Sequence, residues 1–225
     1  MFQIADDQMK AMARDLAGEP AVSPCPMASL TQSDIDLAAQ PGNSPEHRRA
    51  REAVAGYYYL STPGLLHPNV PDTKQNRQAK FRQDLKGIDL SQPLEIIEMP
   101  PPATMDQHKR KSKGNATFPD DQEADEGQRG GLGQFFDPKG GQEGTAMGVN
   151  DDSQLREPVT CVIPEIDPKI RGLRSTASPI VDDWTDIDPW SHKPRPVACR
   201  GGGEQVNVPF AALEKITWKP KPEKP

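Results

Sequence analysis

Gly201-Gly202-Gly203-Glu204-Gln205-Val206-Asn207-Val208 is the stretch on which the fold turns, three glycines entering a short polar strand. Consecutive glycines reach backbone conformations closed to other residues, and they leave room for a ligand to approach the main chain. A plain flexible turn is the commoner use of such a run. Outward from it, further strand candidates lie at residues 94–99, 103–108, 133–136, 159–163 and 170–175. Gly, Pro and Asp clusters separate them, as Pro93 and Pro100-Pro101-Pro102 do for the first. Short strands punctuated this way predict an antiparallel β sandwich or barrel. Residues 109–130 are charged and glycine-punctuated, which predicts a flexible loop, acidic at Asp120, Asp121, Glu123, Asp125 and Glu126.

Upstream of Gly87 the pattern is helical. Residues 45–60 carry the clearest signal: Ser44 can cap, Pro45 fits the first helical position, and Glu46 and His47 occupy the first turn. Ala50, Val54, Tyr57 and Tyr58 then form an apolar face at helical spacing. An aromatic run such as Tyr57-Tyr58-Tyr59 can stack on a base, but it packs into a core more often. Residues 75–85 form a more polar helix ended by Gly87. Another helix starts near Thr31 or Ser33 and breaks at Pro41-Gly42-Asn43-Ser44-Pro45. At the start of the chain, residues 2–16 read as a short amphipathic helix stopped by Gly18 and Pro20.

The composition is sparse in core material, with 34% hydrophobic residues and 5% aromatics against 25 prolines and 18 glycines in 225 residues. A small core with long excursions follows, because apolar burial must offset an ordering cost of about 1–2 kcal/mol per residue. The net charge of −6 argues against a general nucleic-acid coat, so nucleic acid is an unlikely partner. Three cysteines, Cys25, Cys161 and Cys199, are too few for a disulfide framework and too widely spaced for a zinc site. Buried free thiols are the favoured reading; if one pair bridges, it is Cys161 with Cys199, in the β-rich half. No segment reaches the ~18 apolar residues of a membrane span. The first residues lack the basic-then-apolar pattern of a signal peptide, so export would use a signal-independent machine.

Several catalytic signatures are absent: no dinucleotide-binding glycine pattern after a strand, no phosphate-loop lysine motif, no H-E-x-x-H and no G-x-S-x-G. What remains is Glu204 and Gln205 beside the glycines. Neighbours on a strand face opposite ways, so only one of the two can point into a cleft. A carboxylate there would stabilise a developing positive charge, whereas an amide would orient a ribose hydroxyl or a water. The run His108-Lys109-Arg110-Lys111-Ser112-Lys113 can hold a pyrophosphate, best through the planar fork of Arg110, or can be a solvated loop. Of Phe135 and Phe136, one can stack on a base or nicotinamide, and at least one packs in the core.

The order of these pieces resembles a known family. Residues 87–97, Gly-Ile-Asp-Leu-Ser-Gln-Pro-Leu-Glu-Ile-Ile, look like the opening of the catalytic domain of the type 46 polymorphic toxins of bacteria. Gly131-Leu132-Gly133-Gln134-Phe135-Phe136-Asp137-Pro138-Lys139-Gly140 and Thr145-Ala146-Met147-Gly148-Val149-Asn150 resemble its next two blocks. Residues 173–180 with Asp183-Trp184 resemble the fourth, which contains Ser175-Thr176-Ala177-Ser178, and Gly201–Gln205 resembles the closing turn. The likeness spans residues 44–216 and extends to the tuberculosis necrotizing toxin class.

That resemblance implies an α+β protein: a small N-terminal helical region, then an ADP-ribosyltransferase-like split antiparallel β sandwich with long loops. Residues 1–43 would be an export or adaptor leader, 44–219 the toxin domain (helical 44–86, β-rich and catalytic 87–219), and 220–225 a tail. The implied activity is cleavage of the nicotinamide–ribose bond of NAD, with NAD as substrate and no metal. Gln205, Glu204 and Arg110 would be catalytic; Gln107, His108, Phe135, Phe136, Ser175 and Thr176 would contact NAD. The residues 118–130 depart from the family pattern as an insertion. The first nine residues resemble the short leader of proteins encoded with type VI secretion effectors. The implied setting is an antibacterial effector secreted without a signal peptide into a target cell's cytoplasm. Its partners would be a cognate immunity protein and the secretion apparatus or a chaperone. ADP-ribosyl transfer to a macromolecule is the close rival, favoured if Glu204 faces the cleft. A non-enzymatic secretion adaptor and a toxic nuclease are the more distant ones.

Overall fold

The computed structural model describes residues 30–99, 103–110, 134–164, 170–188 and 190–221. The expected helix at 2–16 and most of the loop at 109–130 lie outside the described residues.

The three helices start within two residues of the expected positions, though Thr31 rather than Ser33 is the first cap. Thr31 caps α1 (Gln32–Ala39) through a capping box with Asp34, one of the two starts its sequence allowed. Ser44 caps α2 (Pro45–Ser61), with Pro45 in the first turn, and Thr73 caps α3 (Lys74–Leu85). Ala50, Val54 and Tyr58 form one buried stripe of α2, and Arg51, Ala55 and Tyr59 the stripe beside it. The aromatic run is therefore core: Tyr58 and Tyr59 are fully buried, and only Tyr57 reaches solvent. Tyr59 donates to Asp84 Oδ2 of α3 at 2.7 Å, and Asp84 also takes an ion pair from Lys80 at 2.8 Å. α1 packs on α2 around Ala38, so the helical layer begins before residue 44.

The strands follow: β1 (Glu95–Glu98), β2 (Ala103–Arg110), β3 (Phe135–Phe136), a 3-10 turn (Gly144–Met147), β4 (Arg156–Ile163), β5 (Arg171–Thr176), β6 (Ile180–Asp182), β7 (Val197–Cys199), β8 (Glu204–Asn207), helix α4 (Phe210–Leu213) and β9 (Thr217–Pro220). Every strand pair is antiparallel. One sheet has the order β1-β5-β8-β3, another β2-β4-β9, and β6-β7 is a separate ribbon. Among the described residues the two larger sheets are joined by one backbone bridge, Asp106 opposite Asp137, closed by two bonds of 2.9 and 2.7 Å. β6, β7, β9 and α4 were not among the expected elements. All four are three or four residues long, too short for a periodic signal.

Strand alternation sorts the four-stranded sheet into two faces. Leu173 of β5 and Phe135 of β3 pack with the helices. Phe136 and Val206 turn the other way, onto Met105, Val159, Cys161 and Ile163 of the second sheet. The result is three layers: helices, the β1-β5-β8-β3 sheet, then the β2-β4-β9 sheet. Each fully buried Phe136, Val159 or Val206 side chain contributes about 1.5–3 kcal/mol. α4 packs into the same inter-sheet core through Phe210, Ala212 and Leu213. Cys161 and Cys199 are free and buried, as expected; Cys25 lies outside the described residues. Mixed helices and antiparallel sheets make the chain α+β.

Candidate functional site

The glycine turn is a packed joint. Gly201 and Gly202 adopt φ of +67° and +84°, in the left-handed region that glycine enters at no steric cost. The Gly201 N–H donates to Thr145 O, that of Gly202 to Ala177 O and that of Gly203 to Ala146 O, at 3.1, 2.8 and 2.9 Å. A Cβ on Gly201 would sit 2.5 Å from Pro179 N, and one on Gly203 would sit 2.7 Å from Ala146 O. Only at Gly202 is the space beside the backbone open. The expected flexible turn is therefore a tight junction between β5, β8 and the 3-10 turn, and room for a ligand at the main chain is confined to Gly202.

β8 leaves this joint with alternating faces. Gln205 and Asn207 look towards the helices, where Asn207 O and Oδ1 accept from the Tyr58 hydroxyl at 3.0 and 3.1 Å. The Gln205 side chain is held in place: Nε2 donates to Gly87 O at 2.8 Å and to the Ser175 hydroxyl at 3.3 Å, and the residue is 2% exposed. Ser175 is itself buried, so Gln205 and Ser175 tie the glycine turn to the end of the helical layer.

Glu204 takes the opposite face, the one it shares with Val206 and the inter-sheet core. Its carboxylate meets Lys139 Nζ at 2.9 Å and Arg174 Nε at 3.7 Å, and its side chain is 30% exposed. Arg174 also bonds Glu95 at 2.8 Å, and half-buried Thr176 stands opposite Glu204 in the β5–β8 register. Of the two adjacent candidates, Glu204 is the one that reaches the inter-sheet side.

The backbone of Glu204 is pinned by a side chain from outside the strand. Gln142 Oε1 accepts the Glu204 N–H at 2.9 Å, and Gln142 Nε2 donates to Glu204 O at 2.8 Å. Gln142 is gripped in turn by buried Asp137, whose Oδ1 accepts from Gln142 Nε2 at 2.6 Å and whose Oδ2 accepts from the Gln142 N–H at 2.8 Å. Asp137 Oδ1 also takes the N–H groups of Lys139 and Gly140, both at 2.9 Å. The loop that carries Lys139 is thus wound around one carboxylate.

The other expected contacts are spread along β2 and β3. Gln107 is buried and donates to Phe135 O at 2.8 Å. His108 bonds Gln142 O at 3.0 Å; because a carbonyl only accepts, Nε2 carries the proton. Lys109 lies 3.9 Å from the ring centre of Trp218 and 3.5 Å from Glu157. Arg110 ends β2 opposite Arg156; its side chain lies outside the described residues, as do Lys111, Ser112 and Lys113. Phe136 is fully buried between the sheets, and half-buried Phe135 packs on the helical cluster, so core packing accounts for both.

Sequence reasoning missed Asp106, Asp137, Lys139, Gln142 and Arg174. Asp106 is buried, accepts from Thr160 Oγ1 and Gly141 N at 2.9 Å each, and pairs with Lys221. Asp137-Pro138-Lys139-Gly140 did carry a signal, since an Asp before Pro and Gly marks a turn closed by its own carboxylate. Among the described residues no group of three His, Cys, Asp or Glu side chains could hold a metal ion. Nor, among them, is any helix long and apolar enough to cross a membrane.

No family model and no curated protein matches the chain. Among solved structures, that of Tse6 in complex with Tsi6 is similar to this chain, at 16% identity and a TM-score of 0.46, over 77% of this chain and 97% of that one.

Proposed function

We propose that this protein is an antibacterial toxin that cleaves the nicotinamide–ribose bond of NAD at the inter-sheet face around Glu204. The observation that carries the reading is the Glu204 carboxylate, part exposed between Lys139 and Arg174 at the closing block of the toxin-like sequence order. As the C1′–N bond breaks, its electron pair leaves with nicotinamide and neutralises the pyridinium. Positive charge then develops at the ribose C1′, and a fixed carboxylate stabilises it. Water adds to C1′ and releases a proton, giving ADP-ribose. Lys139 and Arg174 suit the phosphates of the same substrate. Gln205 supports the turn from behind rather than touching the ribose, and Arg110 is a further phosphate ligand.

The test is nicotinamide release from NAD by the purified chain, followed by chromatography. Glu204→Gln is expected to lower kcat about 10²–10³-fold, the usual cost of removing a charge-stabilising group. No release by the unaltered protein refutes the activity. A second reading, ADP-ribosyl transfer to a macromolecule, fits the inter-sheet position of Glu204 equally, since the same carboxylate stabilises C1′ whether water or a macromolecular nucleophile adds to it. Labelled ADP-ribose retained on protein or RNA distinguishes it from hydrolysis. As a toxin, the protein would be matched by an immunity protein covering this face, with the residues before α1 addressing the secretion apparatus and the target cell's cytoplasm as the site of action.

A further inference from the structure

We infer that Gln142 is the positioning residue of this site, standing in for a missing strand residue to hold Glu204 in register; the inference rests on the assignment of Glu204 above. β3 pairs with β8 at Phe135 opposite Asn207 and Phe136 opposite Val206, so the same register would bring Pro138 opposite Glu204. Proline has no N–H and cannot donate to that ladder. The pairing stops at Phe136, and without a substitute the Glu204 N–H and C=O on the β3 side would lose their partners at the residue that carries the carboxylate.

Gln142 supplies both partners from one amide. Its Oε1 takes the Glu204 N–H and its Nε2 reaches the Glu204 carbonyl, at 2.9 and 2.8 Å, the two-bond pattern of an antiparallel residue pair. The amide cannot flip without losing both bonds, because Nε2 also donates to Asp137 Oδ1. The Gln142 carbonyl, meanwhile, accepts from His108. One residue therefore fixes the backbone of Glu204, anchors the Lys139 loop through Asp137, and orients the imidazole at the end of β2. Glu and Asp reproduce only the acceptor half of this arrangement, and Met or Leu neither half.

The experiment measures NAD turnover and amide hydrogen exchange on the full chain and on Gln142→Met. The expected result is a kcat lowered at least tenfold with KM within twofold, together with loss of protection at the Glu204 amide. Gln142→Glu, which keeps the acceptor for that N–H, is expected to retain its protection and to fall between the two in kcat. If Gln142→Met does not fold, Gln142→Glu tests the lost donor half through kcat alone, and a kcat within twofold of the unaltered chain overturns the inference. A kcat within twofold of the unaltered protein, or an equally protected Glu204 amide in Gln142→Met, overturns the inference. If the unaltered chain releases no nicotinamide, the proposed activity fails, and the exchange measurement alone still decides whether Gln142 holds Glu204.

Discussion

Replacing Arg51 by Met should destabilise the fold more than any surface change. Arg51 is fully buried in α2, and its guanidinium donates to four main-chain carbonyls: Ala38 O at 3.1 Å, Gly42 O at 2.8 Å, Leu90 O at 3.0 Å and Gln40 O at 2.6 Å. Three of these lie at or just beyond the end of α1, a helix with no basic residue in its own last turn. Arg51 therefore supplies the positive charge that the end of a helix dipole favours. The fourth, Leu90, belongs to the segment leading into β1, so one side chain joins helix, loop and sheet. A hydrogen bond to a charged donor is worth about 1.5–3 kcal/mol net when buried. Gln40 and Gly42 are exposed, so water replaces their bonds at little cost, and Ala38 O keeps the Leu94 N–H at 3.0 Å. The loss then comes mainly from the Leu90 bond, with a smaller part from Ala38, together about 3–4 kcal/mol, a large part of the ~5–15 kcal/mol that holds a domain together. Arg51→Lys keeps the charge but loses the planar fork, and should cost about 2 kcal/mol. Urea unfolding followed by circular dichroism measures both. With a slope of ~2 kcal/mol per molar, Arg51→Met should lower the midpoint by about 2 M. A shift under ~0.5 M would refute the assignment of Arg51 as the joint of the helical layer.

The glycine turn gives a paired test. Gly201→Ala combines left-handed strain with a Cβ 2.5 Å from Pro179 N, and should cost about 3–4 kcal/mol. Gly202→Ala has the strain alone and should cost about 1–2 kcal/mol; equal losses in thermal unfolding would contradict the packed joint. Burial, reinforced by Asp106, pushes the Cys161 thiol up to about 12, and burial raises Cys199 as well. At pH 8 only about one Cys161 in ten thousand is the reactive thiolate, since the pH lies far below its pKa. Iodoacetamide should therefore leave both residues unmodified until the protein is unfolded, and peptide mass spectrometry showing rapid alkylation of Cys161 in the folded chain would rule this out.

The helical layer and the positions of most strands were legible because their signals are local. Ser44 caps from a side chain adjacent to its helix, and the start near Thr31 was read the same way, whereas the Thr73 cap emerged only in the structure. The Ala50, Val54 and Tyr58 spacing needs only the helical repeat. Strands β1, β2, β4, β5 and β8 are bounded by proline, glycine and aspartate, whose backbone preferences act within a few residues. The sequence also determined that Glu204 and Gln205 must face opposite ways, since alternation is a property of any strand.

Which of them faces which layer was decided by tertiary structure alone. Gln205 turns to the helices because Gly87 O and Ser175, 118 and 30 residues away in sequence, come to meet its amide. Glu204 turns to the inter-sheet side because Val206, two residues on, is needed in the core with Phe136. Gln142 lies 62 residues from the strand it completes, and nothing near it in sequence announces that partner. Local chemistry sets where a strand or helix begins and ends. The partner of a side chain is set by how the layers close, which depends on burying one face of each sheet at once.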